Sequence, residues 1–318
     1  MRLRDVGEFG LIDQIEALAA SVTGDRVKLG IGDDAALVRV RAGEELVVTS
    51  DAHVESVHFR WRDESARRIG RQALVANLSD LAAMGARPAG FTLSLAAPPR
   101  LEVRVVLDMV RGMLSAGVPL LGGNVTRARE TSLHITALGT VRSGRALLRS
   151  AARPGDRLLV TGQLGAAAWA RRRAAGSGRL RHRSEARIEA GRALAGLPGR
   201  GACIDVSDGF VADLQHLLDA SGVGAHVDFS ALPRPRGFSA SCRRLRVRPE
   251  RLLLAGGEDY ELLFTVRPQA ASATRLAARL GVPVTELGTI SAGPPRIHWR
   301  SLPGGIEPKL AGSGWRHF

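Results

Sequence analysis

The chain is poor in cysteine, in lysine and in long apolar runs, and each shortage excludes a class of protein. Its two cysteines, Cys203 and Cys242, stand far apart and in no metal-binding spacing. A disulfide scaffold and a zinc module are set aside, and a reducing, cytoplasmic compartment is expected. No apolar stretch approaches the ~20 residues that span a bilayer. The opening MRLRDVGEFGLIDQI carries acids and no uninterrupted apolar core, unlike a secretory signal, so no membrane association is expected. Lysine occurs only at Lys28 and Lys309, so the net charge of +14 is carried by arginine. The arginines are spread along the chain except in Arg171–Arg192, RRRAAGSGRLRHRSEARIEAGR. That cluster lacks any aromatic ring on which a base could stack. It reads as a solvated helix pair with a Gly-Ser-Gly break, and nucleic-acid binding is not expected. Absent too are G-x-x-x-x-G-K-[ST] and G-x-S-x-G, so neither a Walker loop nor a nucleophile elbow is available.

What the chain does have is a set of acids placed where apolar runs end. At 318 residues and a mean hydropathy near zero it reads as two globular domains. The central stretch is Ala202–Leu218, ACIDVSDGFVADLQHLL. A short apolar run predicts a buried strand, and Val211, Leu214, Leu217 and Leu218 predict a helix. Between them lie Asp205, Ser207 and Asp208. Taken alone, Ser207 or Asp208 could be a helix N-cap. The arrangement recurs, however. Gly30-Ile31-Gly32-Asp33-Asp34 places an acid pair after an extended run, and Glu45–Asp51 predicts a strand ending in Thr49, Ser50 and Asp51. Arg67–Met84 predicts a helix with Asn77 and Asp80 on one face. Gly256–Glu261 sets three acids beside two glycines. Pro119–Thr126 reads as a strand running into a Gly122-Gly123-Asn124 turn, whose amides could approach a phosphate.

The turn-rich Arg149–Asp156 marks the boundary, giving domains 1–150 and 151–318. Acids this numerous repel one another, so their convergence requires cations. Several Mg²⁺ ions bridging phosphates satisfy both partners, which is the chemistry of phosphoryl transfer.

In order along the chain, GEFGLI, GIGDDAAL, the TSD after its strand, ANLSDLAAMGA, GG-N-x-T, DVSDG, GGEDYEL and the terminal W-x-H-F resemble the thiamine-monophosphate kinase family. The resemblance covers essentially the whole chain. That family belongs to an ATP-binding superfamily shared with aminoimidazole ribonucleotide synthetase and selenophosphate synthetase. The resemblance implies an α/β (α+β) fold of two domains. The N-terminal mixed-sheet domain would bind ATP and Mg²⁺ and pair across a homodimer, beside a C-terminal α/β domain, with ATP between subunit and domain surfaces. By resemblance, Asp34, Thr49, Ser50, Asp51, Asp80, Asn124, Asp205 and Asp208 would hold several Mg²⁺ ions. Gly123, Asn124, Arg149 and Ser207 would contact ATP, and His58, Glu258 and Trp315 would shape the thiamine monophosphate site. The implied reaction moves the ATP γ-phosphoryl group onto thiamine monophosphate, giving the diphosphate. The acceptor oxygen is anionic near neutral pH, so no acid/base residue is assigned.

Two departures stand out. Asn124 occupies a position where the family usually has a metal-ligating Asp; it keeps a carbonyl oxygen and loses the charge, so one metal is expected to bind more weakly. His53 replaces a smaller residue. The alternatives are a sister ATP-dependent enzyme with another substrate, or a nucleotide-binding protein whose catalysis Asn124 has impaired. Selenophosphate synthesis fits poorly, because no cysteine lies near the N-terminus.

Overall fold

The computed structural model describes residues 1–31, 34–174 and 182–301; Trp315 lies outside them. Two compact units emerge, Met1–Leu81 with Arg87–Ser143, and Ala82–Ala86 with the chain from Gly144 onward.

The first unit contains α1 (Leu3–Ala19), β1 (Val27–Leu29), β2 (Leu37–Val38), β3 (Glu44–Val54), most of α2 (Ala66–Ala83), β4 (Arg87–Ala97), α3 (Val103–Leu114), β5 (Leu120–Arg127) and β6 (Ser132–Arg142). Four strands form a mixed sheet in the order β3-β6-β4-β5, in which only β4 and β5 run parallel. Period-two alternation divides its faces. Leu93, Leu95, Leu133 and Ile135 are buried on one, while Ser94 and His134 are exposed on the other. The helix expected over Arg67–Met84 is realised as α2, which ends at Ala83 and whose Ile69, Ala73, Leu74, Leu78 and Leu81 are all buried, while Met84 beyond it is half-buried. The first helix starts at Leu3 and breaks helical geometry at Gly7, where φ is +74°.

The second unit begins with a 3-10 turn (Arg149–Ala151). It continues through β7 (Arg157–Thr161), α4 (Ala166–Ala174), α5 (Ile188–Ala195), β8 (Arg200–Asp205), α6 (Phe210–Ser221) and β9 (Gly224–Asp228). After these come α7 (Phe238–Arg244), α8 (Pro249–Ala255), β10 (Leu262–Val266), α9 (Ala273–Leu280), β11 (Val284–Ser291) and β12 (Ile297–Arg300). The sheet order is β12-β9-β11-β7-β10-β8. Leu158, Val160 and Ile204 pack with Leu214, Leu217 and Leu218 of α6. Leu159, Cys203 and Phe264 pack with Leu194, Leu276 and Leu280. Helices thus cover both faces, which is why the strands read as continuous apolar runs such as Leu158-Leu159-Val160 rather than as alternating ones.

Two local expectations are corrected. Thr49, Ser50 and Asp51 lie inside β3, which runs on to Val54, rather than at its end. Gly122, Gly123 and Asn124 form no turn; they are extended within β5. The glycine at 123 serves strand pairing, since a Cβ there would stand 1.8 Å from the Leu93 carbonyl oxygen of β4.

Candidate functional site

In the first unit the expected ligands fall into two groups. Thr49 Oγ1 donates to Asp80 Oδ2 at 2.6 Å, joining β3 to α2. Asp51, two residues on, shares the Thr49 face of the strand. Ser50 points to the opposite face, where its hydroxyl meets Thr136 Oγ1 at 3.1 Å. Thr49 and Asp80 are therefore brought together with Asp51 on the same strand face, while the Ser50 side chain lies on the other.

The second group sits at the other edge of the same sheet. Asp34, Gly122, Gly123 and Asn124 line a cavity of about 750 Å³ between α1 and β5. Asp51 pairs with Ile135, Ile135 with Leu93, and Leu93 with Gly123. Three strand spacings of ~4.8 Å put the Asp51 and Gly123 backbones about 14 Å apart. Asn124 pairs with Ser94, so its side chain lies on the face away from Leu93. Within this unit the sheet does not bring Asn124 to Asp51 and Asp80.

Beyond Asp51 the strand ends in an aromatic cluster. The His53 ring stacks on His58 and Phe59, with centroids at 5.5 and 5.4 Å. Burial, with the His58 ring alongside, pushes the His53 imidazole down to about 3. His58 Nδ1 accepts the Val54 N–H at 3.0 Å, so the neutral ring carries its proton on Nε2.

In the second unit, β8 delivers Asp205, which is 2% exposed, into a turn that leads to α6. Neither Ser207 nor Asp208 caps that helix; its N-cap is Gly209. The turn is held instead by Asp213, a residue the sequence reading missed. Its Oδ2 accepts the backbone N–H groups of Ser207, Asp208 and Gly209 at 3.0, 3.1 and 3.0 Å. Burial, followed by the charges of Asp205 and Asp208, raises the Asp213 carboxyl well above the usual range.

The Gly256–Glu261 segment is fastened to this turn. Glu258 and Tyr260 donate their N–H groups to the Ser207 and Val206 carbonyls at 2.7 and 2.9 Å, and Val206 donates to the Glu261 carbonyl at 2.8 Å. A Cβ at Gly257 would lie 2.3 Å from the Ser207 oxygen, so only glycine allows this approach. Glu258 and Tyr260 adopt positive φ, +68° and +53°, a costly backbone that clusters at functional sites. Of the three acids, Asp259 and Glu261 face inward. Asp259 accepts the Gly165 and Ala167 N–H groups at 2.6 and 2.9 Å, and burial pushes it up to about 7 against those bonds. Glu261 is gripped by Arg187, while Glu258 pairs with Arg171, whose Nη2 also donates to the Gly257 carbonyl. The solvated-helix reading of the Arg171–Arg192 cluster is therefore corrected for these two arginines, which clamp the acidic segment. Arg149 lies in the exposed 3-10 turn, where its carbonyl accepts from Ser221 Oγ at 2.7 Å.

The oxygen-rich donor set suits a hard cation such as Mg²⁺. Like charge crowds the turn, where Asp205 and Asp208 both act on Asp213, and a cation would relieve it. Among the described residues no three His, Cys, Asp or Glu side chains converge as a ready-made metal site.

Two family models match the chain, the N-terminal domain of AIR synthase related protein over residues 32–141 and its C-terminal domain over 153–300. The mixed sheets and paired units are thus those of an AIR synthase related protein. Solved hydrogenase maturation protein HypE from E. coli, 21% identical with a TM-score of 0.72, shares the fold. Sequence narrows the class. The thiamine-monophosphate kinase of Escherichia coli K12 is 39% identical, covering 90% of this chain and 91% of its own. That of Caulobacter vibrioides is 37% identical over 88% and 84%. The crystal structure of the Stenotrophomonas maltophilia enzyme is 38% identical with a TM-score of 0.79, covering 92% of this chain and 96% of that one. AaThiL complexed with AMPPCP and TMP superposes with a TM-score of 0.73 at 28% identity, over 100% and 99% of the two chains. The chain belongs to the thiamine-monophosphate kinase family.

Proposed function

We propose that this protein transfers the γ-phosphoryl group of ATP to the phosphate of thiamine monophosphate, releasing ADP and thiamine diphosphate. The observation that carries this reading is full-length similarity to AaThiL, a relative solved with AMPPCP, an ATP analogue, and TMP. In this step a bond forms between an acceptor phosphate oxygen and the γ-phosphorus as the bond to the β-bridging oxygen breaks. The acceptor is anionic, so the chain's task is positioning rather than proton removal. Bound Mg²⁺ would neutralise phosphate charge during transfer. Thr49, Asp51 and Asp80 in the first unit and Asp205 and Asp208 in the second are the proposed holders, with Asp34, Asn124 and the Ser50 backbone contributing. Gly123, Arg149 and Ser207 are proposed to contact ATP, and His58, Glu258 and Trp315 to contact the acceptor.

The finer features belong to the same reading. Leu46 and Val48 on the open face of β3 are 49% and 55% exposed, which supports a homodimer formed by the N-terminal units. The free cysteines Cys203 and Cys242 support a cytoplasmic location. The deciding experiment incubates the protein with ATP, Mg²⁺ and thiamine monophosphate and assays thiamine diphosphate. Product that disappears with Asp208→Asn supports the kinase. No product at any Mg²⁺ concentration, with ATP binding retained, would favour a nucleotide-binding protein whose activity Asn124 has cost.

A further inference from the structure

Three successive backbone N–H groups turned toward one point make a concave site for an anion. In the turn between β8 and α6 those groups belong to Ser207, Asp208 and Gly209, and a single oxygen, Asp213 Oδ2, takes all three. Asp213 is 2% exposed and stands in the first turn of α6. This is more than a helix cap. Only the Gly209 amide belongs to the N-cap position, and the other two lie upstream, in the turn itself. The bonds also decide what the turn can offer. Each amide has one proton to donate, so with all three spent on Asp213 none remains for a phosphate. What the turn still presents is oxygen, from the half-buried side chains of Ser207 and Asp208.

We propose that Asp213 is a positioning residue that fixes the Asp205–Gly209 turn through its three amides and makes it a cation-facing, rather than a phosphate-facing, surface. The cation in question is the Mg²⁺ of the kinase reading, on which this proposal rests for its functional consequence. Ser207 would then meet the nucleotide through its hydroxyl or through a cation, not through its N–H.

The test pairs Asp213→Ala with Asp213→Asn, which keeps a carbonyl acceptor in place, and with Leu214→Ala, a core truncation on the same helix that leaves the turn's bonds alone. Amide hydrogen exchange is read at residues 207–209 in the protein without nucleotide or metal. The Mg²⁺ concentration for half-maximal activity is read separately. In Asp213→Ala the three amides should exchange at least about tenfold faster, and the Mg²⁺ requirement should rise about tenfold, the usual scale for losing an outer support of a metal ligand. Asp213→Asn should stay within about threefold of the native protein on both, by the same measure. Leu214→Ala should lower the melting temperature and move neither. Where Asp213→Ala does not fold, Asp213→Gln, whose longer side chain cannot hold all three bonds, is read in its place.

Native exchange at 207–209 in the Ala or Gln variant would overturn the proposal, as would an equal Mg²⁺ shift in Leu214→Ala. A native protein without kinase activity would instead overturn the functional reading, and the exchange measurement would still decide whether Asp213 holds the turn.

Discussion

Arg187 grips Glu261 with two donors, Nε at 2.7 Å and Nη2 at 2.6 Å, while Thr161 Oγ1 donates to the same carboxylate at 2.7 Å. The Glu261 side chain is 6% exposed. Truncating the arginine strands a buried charge, and Arg187→Ala is expected to lower the unfolding free energy by about 3–5 kcal/mol. Arg187→Lys keeps the charge but loses the planar fork, so its loss should be smaller. Thermal melts of both variants check this, and a native melting temperature in Arg187→Ala would remove the pair from any account of stability.

Asp259 makes the same segment pH-dependent. Its carboxyl is pushed up to about 7 from 3.8, so as pH rises the unfolded chain gives up this proton first. The contribution is fully present below about pH 4 and is lost as pH rises through about 7, on the order of 4 kcal/mol across that window. Asp259→Asn does not titrate. The native protein's advantage in melting temperature over this variant should therefore shrink between about pH 5 and about pH 8. An advantage that does not change with pH would show that Asp259 stays ionised throughout.

The legible parts of the chain are those where local pattern and tertiary role agree. Ile69–Leu81 is a helix because its apolar residues recur at helical spacing, and Ala202–Asp205 is a strand because a short apolar run is buried on both faces. Gly122-Gly123-Asn124 reads as a turn because glycine pairs usually mark one. Here the glycine is set by a neighbouring strand, the Leu93 carbonyl, which nothing nearby in sequence announces. Asp213, Arg171 and Arg187 escaped for a related reason. The D-x-x-x-x-D spacing of Asp208 and Asp213 is visible, yet only the fold shows that one acid serves the backbone while the other faces outward. An arginine-rich segment reads as solvated surface until its acidic partners, some seventy or more residues later, are in place.

The two faces of β3 separate neighbours that the sequence presents as one T-S-D motif. Thr49 bonds Asp80 while Ser50 bonds Thr136 on the other side. Ser50→Ala should leave the Mg²⁺ requirement within about twofold of native, whereas Asp51→Asn and Asp80→Asn should raise it at least about tenfold. An Mg²⁺ titration of the three variants checks the split. A Ser50→Ala effect as large as that of Asp51→Asn would place its hydroxyl at the metal after all.

Asn124 offers the opposite manipulation, restoring a charge. It lines the α1–β5 cavity together with Asp34, and a carboxylate binds a hard divalent cation more tightly than an amide oxygen does. Asn124→Asp is expected to lower the Mg²⁺ concentration for half-maximal activity, by about tenfold if the charge acts directly on a bound ion. An unchanged requirement would mean that no cation binds at this position.

The open face of the first unit's sheet carries exposed apolar side chains that a monomer would leave in water. Leu46 and Val48 stand on it two residues apart, and their strand is an edge of the sheet. A second copy of the chain covers such a face most simply, since homo-oligomers pair like surfaces across a twofold axis. Val48→Asp puts a charge where association would bury it, at a cost of several kcal/mol unless the charge finds a partner. It should convert a dimer to a monomer in sedimentation equilibrium. Leu245→Asp, on a partly exposed residue of the second unit, should leave the mass unchanged. A native chain that sediments as a monomer at micromolar concentration would sink the idea, and so would a Val48→Asp variant that remains dimeric.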